Sequence, residues 1–538
     1  MPLVTAGQGR VKWARWVGCV VFLLALVLRL GAAVGDLPHV YDFDERLFMD
    51  LEIGPMFSER TLEPQGYGHP ALYKDVSVTT LMVVGGLAGW DKDDVSTGSG
   101  IVGDRLVRNP MPWFTLRTLV ALLGAVAVVM VWDSARRLGV PNWAAGLAAG
   151  IGAVAPVLLG APQRVASDGY SVFFAMTCVW LLARVVQRPS LRRQAALGVA
   201  IGLVMSAKYN GAPLALLALV VPLTTDGSWR RRVGWVLAAG GAAAAAFVIT
   251  NPYSVLHPDS AWQGIVVQNK AYSFYSLGNM GRTPLFNLRT LLDDAGPMAA
   301  LALAAVPMAA VAWRRAGTDS DSRTANRSTL VAATGLLVGI AGWLTLIGRY
   351  EVREARNVMA LVLPVCVLGA LGLQAWSSLW PRPRNASVLA ALVLLGSGWA
   401  GVQVSKGAFE WGRVVADERA DARGWLEGNV QPGQRLVGEV GTPYLGRSDV
   451  VQETIGNLAE LDLDELRTRR TQWVVTSSGM TEGVVSDQAR WGDQIADYQR
   501  KLAGVCEWHT FQSWNTETSV GVVCPLNDLG VNSGLAAG

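Results

Sequence analysis

Stretches of apolar residues long enough to cross a hydrocarbon layer of about 30 Å recur between Trp13 and Val404, and a chain that must bury so many of them folds as membrane helices. Half of the 538 residues are hydrophobic (51%) and only 16% are charged, a balance that does not fit a soluble protein of this length. The chain therefore reads as a polytopic α-helical membrane protein. Beyond residue 404 it turns polar, and helix-like stretches such as DERADARGWLEGN alternate with strand-like ones such as QWVVTSS. Two domains are expected: a transmembrane part over residues 1–404 and a small α/β domain over residues 405–538. The net charge of +4 sits largely in short loops between spans, where topology explains it, so nucleic acid is not implied.

Arg10, Lys12 and Arg15 flank the start of the first span and place the N-terminus in the cytoplasm. A cleaved signal peptide, with GAAVG as its processing site, is the rival reading of this segment. The short apolar stretch Val76 to Trp90 is read as an amphipathic or re-entrant segment at the outer face. If it does not cross, Arg136 and Arg137, Arg184 to Arg193, Arg230 to Arg232, Arg314 and Arg315, and Arg382 and Arg384 all fall inside. The expected spans are then 13–34, 114–134, 143–161, 170–187, 193–207, 210–224, 233–250, 295–313, 329–348, 358–376 and 386–404, about eleven helices. An odd number puts the C-terminal domain outside a plasma (inner) membrane and leaves two long outer loops, 35–113 and 251–294, as places for function.

Cys19, Cys178 and Cys366 fall in spans, whereas Cys506 and Cys524 share the outer domain and are expected to form a disulfide. The four histidines are scattered and none has metal-ligand spacing with cysteine, so neither structural zinc nor an organic cofactor is implied.

Charged residues collect near the outer ends of the spans. YDFDERLF carries the adjacent carboxylates Asp44 and Glu45, about ten residues beyond the first span. GYGHPALYKD supplies His69 and Lys74, Arg117 opens the second span, QRVASDGY holds Arg164 and Asp168, and SAKYNG holds Lys208 and Tyr209. RYEVREARN contributes Arg349, Arg353 and Arg356. Taken singly, each has an ordinary explanation: an acidic loop in water, a snorkelling cation, an N-cap at Asp168, an interfacial anchor at Tyr209. Together, cations and an acidic pair on one membrane face suit a substrate bearing a phosphate beside the group to be transferred.

In this order the motifs resemble glycosyltransferase family 39 of the GT-C superfold, which comprises the protein O-mannosyltransferases and the lipid A aminoarabinose transferases. LPHVYDFDERLF is similar to that family's Asp-Glu pair after the first span, GYGHPALYKD to its Tyr-Pro element and LRTLVALLGAVAVV to its Arg-led second span. SAKYNG, TNPYSVL and RYEVREARNVMALVLP resemble its Lys-Tyr turn, its Asn-Pro-Tyr loop and the basic segment before a proline-bearing span. The resemblance runs from residue 13 to 376; Phe43 departs from it, standing where many relatives have Pro.

The resemblance implies transfer of a sugar from a polyprenyl-phosphate-linked donor, by inverting displacement, to a protein, lipid or glycan acceptor at the outer face. Asp44 would be the base, or a ligand of a divalent cation such as Mg or Mn, with Glu45 orienting it or joining the metal. Arg117, Lys208, Arg349 and Arg353 would neutralise the leaving phosphate, and His69, Lys74, Asp168 and Tyr209 would line the substrate site. A transporter or flippase of a lipid-linked or anionic substrate is the alternative class, and a noncatalytic assembly protein a third.

Overall fold

Seven helices among the described residues are long and apolar enough to span a membrane. The computed structural model describes residues 5–34, 37–38, 40, 43–96, 107–224, 228–274, 282–316, 320–379, 402, 418–439, 442–445, 447–455, 463–477, 505–512 and 517–523. In chain order its longer helices begin with α1 (Thr5–Val34), α2 (Phe43–Phe48), α3 (Leu72–Ala88), α4 (Met111–Arg137), α5 (Asn142–Val154), α6 (Ser167–Gln187) and α7 (Leu191–Ala207). They continue with α8 (Leu217–Thr224), α9 (Trp229–Thr250), α10 (Pro258–Phe274), α11 (Thr283–Ala295), α12 (Pro297–Arg315), α13 (Ser320–Ile347) and α14 (Met359–Leu379). The span-length set is α1, α4, α6, α9, α12, α13 and α14. The most apolar stretch of α14 is 89% buried against 17% for α9, so α14 runs through the centre of the bundle and α9 along its edge.

Among the described residues the expected count of about eleven spans is thus reduced to seven helices of spanning length. Segments 143–161, 193–207 and 210–224 form shorter helices, and 386–404 lies outside the described residues. Proline explains the break after α5 and lies just beyond the break at Lys208. Ala155 precedes Pro156 and takes an extended ψ of 121°, because the proline ring disfavours helical geometry in the residue before it. Lys208 is likewise extended (φ −153°, ψ 126°) and ends α7; the chain resumes as the 3-10 helix Tyr209–Leu216, with Pro213 inside it, and Pro222 lies within α8. Residues 76–90, expected as an outer-face segment, fall mostly in α3, which is not among the seven and ends at Gly89 with φ 76°, a left-handed cap that favours glycine.

The break after α5 also explains a charge inside the first span. Pro156 has no N–H to offer the Gly152 carbonyl one turn back, and Arg29 of α1 takes its place: it donates to Ala153 O at 3.1 Å and Gly152 O at 3.4 Å, and to Ala25 O of its own helix. Gly124 of α4 makes room, since a Cβ there would lie 2.8 Å from Arg29 Nε.

Small residues set the closest helix contacts. A Cβ on Gly198 or Gly202 of α7 would fall 2.1 Å from Ala239 O and 2.3 Å from Ala243 O of α9, and the same holds for Gly369 and Gly372 of α14 against Met298 O and Leu301 O of α12. Close backbone approach supplies packing where lipid offers no hydrophobic gain. The Ala242–Ala246 run belongs to the α9 side of this contact.

The C-terminal residues form a five-stranded mixed sheet, ordered β2-β1-β3-β5-β4, from β1 (Arg435–Glu439), β2 (Val451–Ile455), β3 (Thr471–Ser477), β4 (Val505–Gln512) and β5 (Glu517–Val523). β1 pairs in parallel with β2 and β3, and β5 pairs antiparallel with β3 and β4. Helix α15 (Glu418–Asn429) contributes Ala422 and Leu426 to a core shared with Leu436 and Val475. Cys506 lies on β4, while Cys524 is outside the described residues, and the expected disulfide with it.

Gly202→Leu should lower the unfolding temperature of the detergent-purified protein, at a cost of about 1–3 kcal/mol or more for overpacking against backbone that cannot move aside. Gly234→Leu, where a Cβ meets nothing within 4 Å, should leave it unchanged. Equal stability of the two variants would contradict the α7–α9 contact.

Candidate functional site

The residues that follow the first span fold back as α2, a π-helical turn at Met49–Ile53, and a short helix at Gly54–Glu59. The π turn closes where Gly54 N–H donates to Met49 O, and a Cβ on Gly54 would lie 2.6 Å from that oxygen. This geometry turns Asp44 and Glu45 in different directions.

Glu45 is fully buried. Its Oε1 accepts from Arg117 Nε at 2.8 Å and from Val165 N at 2.8 Å, and its Oε2 accepts from Arg117 Nη2 at 2.5 Å. Arg117, also fully buried, donates further to Ala33 O at 3.4 Å. The pair ties α2, the end of α1, the top of α4 and the turn before α6 into one unit. Arg117, expected to meet a donor phosphate, is instead covered by Glu45.

Asp44 stays accessible. Its Oδ2 pairs with Arg356 Nη1, and the two side chains are 27% and 22% exposed. Arg356 also pairs with Glu354. Beside them, Lys208 Nζ donates to Asp168 Oδ1 at 2.6 Å, both side chains being nearly buried. The break in helix geometry at Lys208 is what releases its side chain towards α6. Lys74, at the start of α3, is fully buried against Glu52 Oε2 at 2.9 Å and donates to Gly66 O at 2.6 Å, and Tyr73 Oη donates to the same Glu52 oxygen at 2.9 Å.

His69 lies among these groups, edge-on to Phe48 (5.1 Å between ring centroids) and to Tyr73 (6.4 Å). Burial, with Lys74 and Lys208 adding to it, pushes its pKa down to about 3, against a smaller opposing pull from Asp168. The ring is therefore neutral at physiological pH. Asn251 of the TNPYSVL motif fastens the same loop: its Oδ1 accepts from Ala71 N at 2.7 Å and its Nδ2 donates to Ser206 Oγ at 2.8 Å. Tyr209 Oη reaches Tyr67 O at 3.4 Å.

Asp44, His69, Lys74, Asp168 and Lys208, separated by up to 164 residues in sequence, thus meet at one end of the bundle. Of the RYEVREARN run it is Arg356 that reaches Asp44; Arg349 is exposed on the turn after α13, and Arg353 is half-buried in the stretch before α14. Arg356 and Glu52 were not among the expected site residues. Arg356 is the third arginine of the RYEVREARN run, and nothing in the sequence ranks the three; Glu52 becomes a partner of Lys74 and Tyr73 only through the π turn.

A divalent cation shared by Asp44 and Glu45 does not fit this arrangement. The oxygens of Glu45 already accept three N–H groups, Asp44 faces a guanidinium, and among the described residues no three His, Cys, Asp or Glu side chains gather to hold a metal.

The family model described as dolichyl-phosphate-mannose-protein mannosyltransferase matches residues 111–255, the stretch that contains Arg117, Asp168, Lys208 and Asn251. None of the curated protein sequences matches the chain. The crystal structure of ArnT from Cupriavidus metallidurans bound to undecaprenyl phosphate superposes on it with a TM-score of 0.50 at 14% identity, covering 95% of this chain and 98% of that one. The Archaeoglobus fulgidus oligosaccharyltransferase in its apo form gives 0.47 at 12% identity over 96% and 75% of the two chains. The S. cerevisiae Pmt1–Pmt2 complex bound to the sugar donor gives 0.37 at 19% over 46% and 34%. The chain has the fold of the GT-C membrane proteins, seen over nearly the whole length of ArnT.

Two measurements check the site as described. Arg117→Ala leaves the Glu45 carboxylate buried without its cation and should destabilise the protein by about 3–5 kcal/mol in denaturant unfolding; a loss below about 1 kcal/mol would mean the pair is not buried. For His69, the folded pKa lies below the unfolded one, so its contribution to stability is complete above about pH 6.5 and is lost as pH falls towards about pH 3. His69→Phe should accordingly show a shallower fall of unfolding temperature over that window than the wild type. Parallel profiles would mean that the ring titrates freely.

Proposed function

We propose that the protein is a membrane glycosyltransferase that moves a sugar from a polyprenyl-phosphate donor to an acceptor hydroxyl, and that the Asp44–Arg356 pair is its reacting centre. The observation that carries this reading is an accessible carboxylate held beside a guanidinium, with the Lys208–Asp168 pair and neutral His69 adjoining. Base and phosphate-binding cation are then neighbours. The fold supports the reading, as does the mannosyltransferase match over residues 111–255. The ionisable cluster at one end of the bundle also favours a transferase over a transporter, in which such groups belong near the midplane.

In the proposed reaction Asp44 takes the proton of the acceptor hydroxyl as its oxygen attacks the anomeric carbon. The bond from that carbon to the phosphate oxygen breaks, and the polyprenyl phosphate leaves with the electron pair, so the anomeric configuration inverts. Arg356 and Lys208 offset the charge that develops on the leaving phosphate, and His69, neutral, donates or accepts a hydrogen bond without adding charge. Arg353 and Arg349 are assigned to the outer approach of the donor phosphate, and Lys74, Asp168 and Tyr209 to holding the walls around the sugar. Glu45 and Arg117 act as positioning residues for Asp44.

We place this end of the bundle, with the C-terminal domain over residues 405–538, on the extracytoplasmic side. The support is the arginines at the other ends of α4 and α6, Arg136, Arg137 and Arg184, which favour the cytoplasm.

Asp44→Asn keeps the shape of the side chain and removes its charge. Transfer from a polyprenyl-phosphate sugar should fall by roughly 10²-fold or more, the scale of general-base catalysis, while donor binding persists. Arg356→Ala should instead weaken donor binding by about 1.5–3 kcal/mol. Wild-type transfer by a folded Asp44→Asn protein would remove Asp44 from the reaction.

A further inference from the structure

At the end of the bundle opposite Asp44, three helix termini converge on a second basic site. Arg137 closes α4, twenty residues after Arg117, and Arg184 lies in the last turn of α6, sixteen residues after Asp168. At 1.5 Å per residue these separations are roughly 30 Å and 24 Å, so the site stands across the membrane from the cluster described above. Arg137, Arg184, Gln187, Arg188 and Arg193 line one cavity of about 530 Å³.

Among the described residues, these side chains are held in place by groups that include a single carboxylate paired with Arg137. Asp133 Oδ2 accepts from Arg137 Nε at 2.5 Å and from Trp180 Nε1 at 2.7 Å. The Arg184 guanidinium stacks 3.6 Å above the Trp180 ring, and its Nε is buried with no hydrogen-bond partner. Arg193 Nη1 donates to the Arg188 carbonyl at 2.6 Å, and Gln187 Nε2 to the Arg137 carbonyl. Among the described residues Asp133 pairs with Arg137 and lies close enough to Arg184 to act on its charge. The preference of basic residues for one membrane face accounts for the side on which they lie. It does not account for arginines from three helices facing one cavity, or for a desolvated Nε left without an acceptor.

We propose that this cavity binds a phosphate-bearing anion. Arginine offers planar, forked donors that match phosphate oxygens, the volume is within the range of small-ligand pockets, and basic pockets between helix ends suit anionic headgroups. The same chemistry is presented by the phosphodiester headgroup of a membrane lipid and by a free phosphate monoester. The site is separate from the transfer centre and does not depend on how that centre is read.

The test uses the full-length protein in detergent, with bound species counted by native mass spectrometry after addition of phosphatidylglycerol, phosphatidylcholine or glycerol 3-phosphate. Phosphatidylglycerol should bind at least about 10-fold more tightly than phosphatidylcholine, and Arg188→Gln/Arg193→Gln should abolish the difference. Arg188→Lys/Arg193→Lys should retain part of it, because charge remains while the forked geometry is lost. Arginine-dependent binding of glycerol 3-phosphate without lipid preference would support the proposal with a soluble ligand as the source. The single variant Arg188→Gln, at an exposed position, gives the same readout if the double variant does not fold. Binding of both anions at wild-type strength to the folded Gln variants, or no binding of either to the wild type, would overturn it.

Discussion

The buried pair between Glu45 and Arg117 is the interaction on which the site depends. Two ions taken from water into a membrane protein cost several kcal/mol each, and the cost is met here because the carboxylate accepts three N–H groups while the guanidinium spans a carboxylate and a backbone carbonyl. The contacts come from four places in the chain. They fix α2 against α4 and the turn before α6, and so fix the one residue to the N-terminal side, Asp44, at an accessible position. A pair of adjacent carboxylates is thereby divided: one is structural and buried, the other remains at the surface of the cluster beside Arg356.

A second constraint is the need to satisfy backbone groups where membrane helices break. Pro156 interrupts the helical run after α5, and Arg29 from the middle of an apolar span supplies the donors that Gly152 O and Ala153 O would otherwise lack. The start of the following short helix is met in turn by Asp294, whose Oδ1 accepts from Val157 N at 2.9 Å. At Lys208 the interruption has another use. The extended residue ends α7 and sends a lysine to Asp168 on α6, so a helix break and a charge of the site are the same feature.

These breaks explain how a bundle with seven span-length helices builds a polar centre at one end. Short helices and irregular turns bring side chains in from the sides, where continuous helices would present apolar faces. The aromatic rings of Phe48 and Tyr73 cover His69, and that cover, with Lys74 and Lys208 nearby, keeps the imidazole neutral. Charge at the centre then rests on paired groups: Asp44 with Arg356, Asp168 with Lys208, Glu52 with Lys74.

The sequence by itself determined that the chain is a polytopic helical membrane protein with a small β-containing domain after it, because hydrophobic length and composition decide that without reference to partners. It also marked Asp44, His69, Lys74, Asp168 and Lys208 as unusual, since charge near a membrane span is costly wherever the chain goes next. Composition overcounts the span-length helices among the described residues because apolar character persists through Pro156, Pro213 and Pro222, and composition does not register where a helix must stop. Only the tertiary structure decided which charges pair. Glu45, expected to orient Asp44 or join a metal, and Arg117, expected at the donor phosphate, are buried against each other; Arg356, rather than Arg349 or Arg353, is the residue that meets Asp44. Pairing depends on distances between elements far apart in the chain, set by the π turn at Met49–Ile53 and the close approach of small residues between helices, and neither leaves a mark on local sequence pattern that fixes a partner.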